Sequence, residues 1–185
     1  MTGAWFLARN IIFSPAGFGY LASIFGILAL FSLMRLRMEL LVLAVFPGTL
    51  FHELCHLLAS MLFGGKVTSF RLLPKRVGRS FILGSVECGN VRWYNGFFIG
   101  LAPLLLLPVA FGLLLWRLKI WHGLHLRELP WIYLIACLTY AAIPSRQDLC
   151  LAAKSRWALC CVATVACLFW TGWIHSAYAL LRRQI

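Results

Sequence analysis

The sequence predicts an all-α polytopic membrane protein of about five transmembrane helices. A small β-hairpin is expected after the helix that carries an HExxH motif. Three observations carry this reading. Of 185 residues, 62% are hydrophobic and 12% charged, with mean hydropathy +0.88; soluble domains run near half apolar and a quarter charged. The apolar residues fall into five runs, at 18–34, 40–63, 96–116, 131–145 and 157–181. Between the second and third lies a stretch, 66–95, that partly alternates instead. A soluble fold of this size could not bury so much apolar surface, and a disordered chain would not carry it.

Each element follows in order. Residues 2–13 contain Trp5 and Arg9 and suit an interfacial segment. They lack the basic start, short apolar core and small-residue cleavage site of a signal peptide. With the first run they form an N-terminal unit, 1–39. A helical span takes roughly 20 residues; inside lipid the backbone must satisfy itself as helix. The run 40–63 is long enough and holds His52, Glu53 and His56. Residues 67–73 read as a strand ending at Pro74. A basic turn follows with Lys75, Arg76, Gly78 and Arg79, and 80–86 reads as the returning strand. Gly89-Asn90 marks a further turn. The run 131–145 is short but continues past Arg146 and Asp148 to 153. Residues 40–153 form the core unit, with the hairpin at 66–95, and 154–185 the last helix. Trp93, Trp116, Trp121, Trp131 and Trp157 lie near run ends, as interfacial belts do.

The net charge is +12, from 17 Lys and Arg against five acids. In a soluble chain that would suggest nucleic acid. Here the cations sit between apolar runs, which argues for a lipid bilayer and against nucleic acid. With five alternating spans, one side receives Arg9, the six cations from Lys66 to Arg92, Arg146, Lys154 and Arg156. The other receives Arg35, Arg37, Arg117, Lys119, Arg127, Arg182 and Arg183. The richer side is expected to be cytoplasmic, which puts the N-terminus and the hairpin there. The seven cysteines show no CxxC pair and no regular spacing, so neither a disulfide framework nor a cysteine zinc site is read.

His52-Glu53-Leu54-Cys55-His56 carries the chemistry. Positions i and i+4 share one helix face, so both imidazoles can reach one metal ion. Glu53 then lies beside the ion, placed to accept a proton from an attacking water. Three ionisable groups in an apolar run are costly without such a purpose; a self-satisfied Glu–His pair is the structural alternative. A catalytic zinc needs a third protein ligand. Glu39 and Glu128 lie at span ends on the opposite side, and Glu87 lies in the hairpin. At about 1.5 Å per residue, His56 lies roughly 24 Å from Leu40 and Asp148 roughly 26 Å from Trp131. Similar depth favours Asp148 as a ligand over a solvated pair with Arg146 or Lys154. His122, His125 and His175 are weaker candidates for the metal. Asn90 and Asn95 could hold substrate backbone or simply make turns.

The segment Phe51-His52-Glu53-Leu54-Cys55-His56-Leu57-Leu58-Ala59, followed by Gly64-Gly65-Lys66-Val67, resembles the site-2 protease family of intramembrane zinc metalloproteases. Ala141-Ala142-Ile143-Pro144-Ser145-Arg146-Gln147-Asp148-Leu149 is similar to that family's second motif, which supplies the aspartate ligand. Gly100-Leu101-Ala102-Pro103-Leu104 is similar to a small-residue stretch in its middle core span. The resemblance covers roughly residues 40–153. It differs at Ala141, where the family usually has asparagine, at Leu149, where it has glycine, and by a proline-to-aspartate spacing one residue shorter.

The resemblance implies a compact member without PDZ or CBS domain. It implies one Zn2+ per chain on His52, His56 and Asp148, with Glu53 as the catalytic base. The substrate would be a transmembrane protein, unwound and paired with the hairpin edge. Control would come from a regulatory membrane partner or from the substrate. Location would be a bacterial inner membrane, with the site toward the cytoplasm. Two other readings stand beside it: a zinc-binding or degenerate protease-like escort protein without proteolysis, and a transporter component with an intramembrane ion pair.

Overall fold

A computed structural model of the chain describes residues 12–72, 75–77, 80–82, 84–120, 125–155, 160–161 and 163–168. The protein is mostly helical. Helix α1 spans Pro15–Met34 and α2 spans Met38–Leu62. Four strands follow: β1 Lys66–Arg71, β2 Lys75–Val77, β3 Ser80–Ile82 and β4 Ser85–Gly89. Then come α3 Gly96–Leu101, a 3₁₀ turn Ala102–Leu105, and α4 Leu106–Ile120. A second 3₁₀ turn, Leu126–Glu128, leads into α5 Leu129–Ala141 and α6 Arg146–Ala153.

Three helices are long and apolar enough to cross a membrane: Pro15–Met34, Met38–Leu62 and the bent unit Gly96–Ile120. A fourth span results if the broken pair Leu126–Ala141 and Arg146–Ala153 counts as one. The expected fifth span lies largely outside the described residues; its described parts, 160–161 and 163–168, are helical. The interfacial segment also lies outside them, apart from Ile12 and Phe13.

Local chemistry sets the helix ends. Ser14 caps α1, its hydroxyl accepting the Gly17 N–H at 3.1 Å, and Pro15 opens the first turn. Gly17, Tyr20, Ile24 and Phe31 are the buried stripe of α1, at the three- and four-residue spacing of one helix face. Pro47 inside α2 removes one backbone donor. The nearby Ala44 carbonyl accepts the Tyr133 hydroxyl from α5 at 2.6 Å.

One apolar core joins α1, α2, α4 and α5 around Tyr20, Phe31, Val45, Leu106, Ile132 and Ala136. Contacts advance together along α2 and α5, from Ala44 with Tyr133 to His52 with Ala141, so the two helices run in parallel. That agrees with the expected direction of the second and fourth runs. Contacts along α1 also advance with α5, from Tyr20 at Glu128 to Arg35 at Tyr140. Strict alternation of spans would have opposed these two.

The hairpin differs from its expected register. β1 pairs antiparallel with β4, Lys66 opposite Gly89 and Arg71 opposite Ser85, with a bulge between Val67 and Ser69. The segment 80–86 is therefore not a single strand facing 67–73. Its first part, β3, pairs with β2 inside the expected basic turn. The outer ladder ends at Arg71 opposite Ser85, and the inner one runs from Lys75 opposite Ile82 to Val77 opposite Ser80. The Gly89-Asn90 turn is present, with Asn90 at φ 58°.

Candidate metal centre

His52 and His56 sit on one face of α2, four residues apart. Each ring is aimed by the backbone of another element. His52 Nδ1–H donates to the Ala141 carbonyl at the end of α5, at 2.6 Å. His56 Nδ1–H donates to the Ile99 carbonyl in α3, at 2.8 Å. The Ala141 carbonyl is available because α5 ends there, and the Ile99 carbonyl, which also accepts the Ala102 N–H, takes His56 as a second donor. A carbonyl can only accept, so both Nδ1 atoms carry the proton, and in the neutral ring each Nε2 then presents its lone pair to the other groups.

Asp148 arrives by a break, not by a continuous helix. The chain leaves α5 at Ala141, passes Pro144 and re-enters helix at Arg146, bent by 49°. Asp148 stands at the third position of α6 in a reciprocal cap with Ser145. The Ser145 N–H donates to Asp148 Oδ2 at 2.7 Å, and the Asp148 N–H to Ser145 Oγ at 3.2 Å. Thus held, Oδ2 lies 3.4 Å from His52 Nε2 and Oδ1 lies 3.1 Å from His56 Nε2. The two Nε2 atoms are 3.2 Å apart. Among the described residues, His52, His56 and Asp148 form a group able to hold a metal ion, its ligand atoms within 4.8 Å of one another. Lone pairs meeting at such distances repel one another unless a cation or a proton lies between them.

Glu53 is 7% exposed and lines the same cavity, of about 800 Å³. The hairpin closes over it. A Cβ on Gly84 would lie 2.6 Å from Glu53 Cγ, so only glycine lets the strand backbone pass this closely. Gly100 does the same for Asp148. A side chain there would run into the Asp148 carbonyl oxygen, with Ala152 N at 3.0 Å. Gly100→Val therefore pushes α6 away from α3. The expected result is weaker metal retention, read as faster metal loss to a chelator, together with about 1–3 kcal/mol lost stability from overpacking.

The other sequence candidates do not converge here. Glu39 is in the first turn of α2, far from His52. His125 precedes the turn at Leu126–Glu128, at the opposite end of α5. Glu87 is exposed on β4 and lines the cavity rim. Asn90 and Asn95 spend their side chains on turns. Asn90 Nδ2 donates to the Gly64 carbonyl; Asn95 accepts from Arg92 N and donates to the Phe63 and Asn90 carbonyls. His122 and His175 lie outside the described residues.

Sequence reasoning missed a second polar cluster. Glu128 is fully buried, and its carboxylate takes the Tyr20 hydroxyl and both Arg117 donors, Nε at 3.1 Å and the terminal nitrogen at 2.6 Å. Arg117 packs against the rings of Trp116 and Trp131, 5.1 and 4.9 Å from their centroids, and the two rings meet edge to face. Those tryptophans thus hold a cation as well as lying near run ends. An arginine flanked by tryptophan, with an acid eleven residues on, was the available signal.

No protein-family model, curated protein or solved structure matches the chain, so its own residues carry the functional argument.

Proposed function

We propose that this chain is an intramembrane zinc metalloprotease of the site-2 type, hydrolysing a peptide bond in or near a transmembrane segment of a membrane protein. One observation carries the reading: three acceptor groups, each oriented by a backbone partner, face a common centre. Tetrahedral zinc with ligands at about 2.0–2.1 Å has edges of roughly 3.3 Å. His52 Nε2 and His56 Nε2 lie 3.2 Å apart, and they lie 3.4 and 3.1 Å from different oxygens of Asp148, near that edge; taken one atom per residue, the three ligand atoms lie within 4.8 Å of one another. Two imidazoles and one carboxylate are also a catalytic zinc set, with one position left for water.

Zinc, when bound, supplies the Lewis acid that acidifies water and polarises the scissile carbonyl. The protein's own groups do the rest. Glu53 takes the proton from the attacking water and returns it to the departing amine. The carbonyls of Ala141 and Ile99 hold the imidazoles in their metal-binding tautomer. Among the described residues, β1 and β4 each have one strand partner, and an extended substrate segment can pair along a free edge. That pairing satisfies the backbone groups released when a substrate helix unwinds. The apolar helices support a site within a bilayer, and the excess of Lys and Arg around the hairpin supports a cytoplasmic side for it.

The test compares membranes from cells making the wild type with those making Glu53→Gln. Sequencing of protein N-termini is expected to find new termini, inside apolar segments, only with the wild type. Identical termini in both would overturn the protease reading and favour a zinc-binding escort. Gly84→Val, which displaces the Glu53 side chain, is expected to keep the metal and cut turnover about tenfold or more, since small misplacements of a catalytic group are costly.

A further inference from the structure

We infer that Arg71 selects substrates carrying an acidic side chain a few residues from the scissile bond; this rests on the protease reading above. Arg71 closes the outer ladder opposite Ser85 and lines the cavity that contains His52, Glu53, His56 and Asp148. It is exposed, and no side-chain hydrogen bond or ion pair engages its guanidinium among the described residues. Its cross-strand partner Ser85 follows Gly84, the residue whose backbone lies against Glu53. Cross-strand Cα atoms are about 4.5–5.5 Å apart, so the guanidinium reaches the cavity one residue beyond the catalytic carboxylate.

The other charges there leave Arg71 available. Asp148 faces the two imidazoles and its own cap. Glu53 is committed to the attacking water. Glu87 stands opposite Ser69, two residues back along β1. In the sequence, 66–95 holds six Lys and Arg against that single acid, so the field beside the cavity favours an anionic segment. An extended segment rises about 3.3 Å per residue. An acid roughly two to four residues from the bond held at Glu53 therefore meets the guanidinium, whose paired donors suit a carboxylate. A lipid phosphate would also be attracted, but Arg71 faces the cavity with the metal ligands, which favours a peptide.

The experiment uses full-length, zinc-supplied Glu53→Gln protein in nanodiscs, so that binding is read without turnover. The probes are fluorescent twelve-residue peptides of Ala, Leu, Val and Thr, with a single Asp scanned through every position and Asn as control. The expected result is one position at which Asp binds about tenfold tighter than Asn, a typical value for a charge-assisted hydrogen bond. Arg71→Gln removes that ratio and Arg71→Lys keeps part of it. Equal binding of Asp and Asn at every position overturns the inference, as does a ratio that survives Arg71→Gln. A ratio that appears only with phosphatidylglycerol present, and tracks its content, also overturns it and assigns Arg71 to lipid. The best-binding peptide is then offered to the wild type. Selective binding without cleavage would remove the protease reading and leave Arg71 as a recognition residue.

Discussion

Purified wild-type chain is expected to hold about one zinc, and His52→Ala, His56→Ala and Asp148→Ala are each expected to hold essentially none after dialysis. The size of the effect follows from the ligand set. Three protein donors are the minimum for a tightly held catalytic zinc, and loss even of outer partners costs about 10–100-fold in affinity. Removing a ligand should exceed that. Glu53→Gln must keep its zinc, because Glu53 is not one of the converging groups. The measurement is metal content by mass spectrometry on detergent-purified protein after zinc resupply. No zinc in the wild type would sink the metalloprotease reading. Retention in Asp148→Ala alone would move the third ligand elsewhere and contradict the separations seen at the site.

The second large effect concerns stability and lies far from the metal. Glu128→Ala should lower the melting temperature in detergent by about 10 °C or more, because it leaves the Arg117 guanidinium without its carboxylate. The carboxylate takes three donors from two other helices, Tyr20 on α1 and Arg117 on α4. Replacing both charges, as Arg117→Met with Glu128→Leu, should recover most of the loss, since an apolar pair carries no desolvation penalty. Arg117→Lys should not behave as a conservative change. Lysine lacks the planar fork that meets both carboxylate oxygens, and it stacks less well against Trp116 and Trp131. A fall of only a degree or two for Glu128→Ala would show that the cluster is not a tie between the helices.

Much of the metal centre was legible in one dimension. His52 and His56 are four residues apart, and helical geometry alone puts them on one face. Asp148 was reachable because two parallel runs of known rise bring it to the depth of His56. What could not be read is how Asp148 is presented. A rise counted from Trp131 treats the run as one helix; the chain instead breaks after Ala141 and restarts with a Ser145 cap. That break frees the Ala141 carbonyl for His52, a partner no spacing rule reveals, because it lies 89 residues away. The hairpin was legible as strand and turn. Its register was not, since pairing depends on where the outer ladder ends and where a bulge shifts it.

The sequence by itself determined the class of chain, its apolar helices, the HExxH pair and the basic hairpin, because composition and short-range periodicity encode these directly. Only the tertiary structure decided which carbonyls set the histidine tautomers, which backbone covers Glu53, and that Glu128 and Arg117 meet in the core. The physical reason is common to all three. Each depends on two or more segments far apart in the chain approaching within a hydrogen bond's length or a methyl group's width, and that distance is set by packing, not by any local pattern.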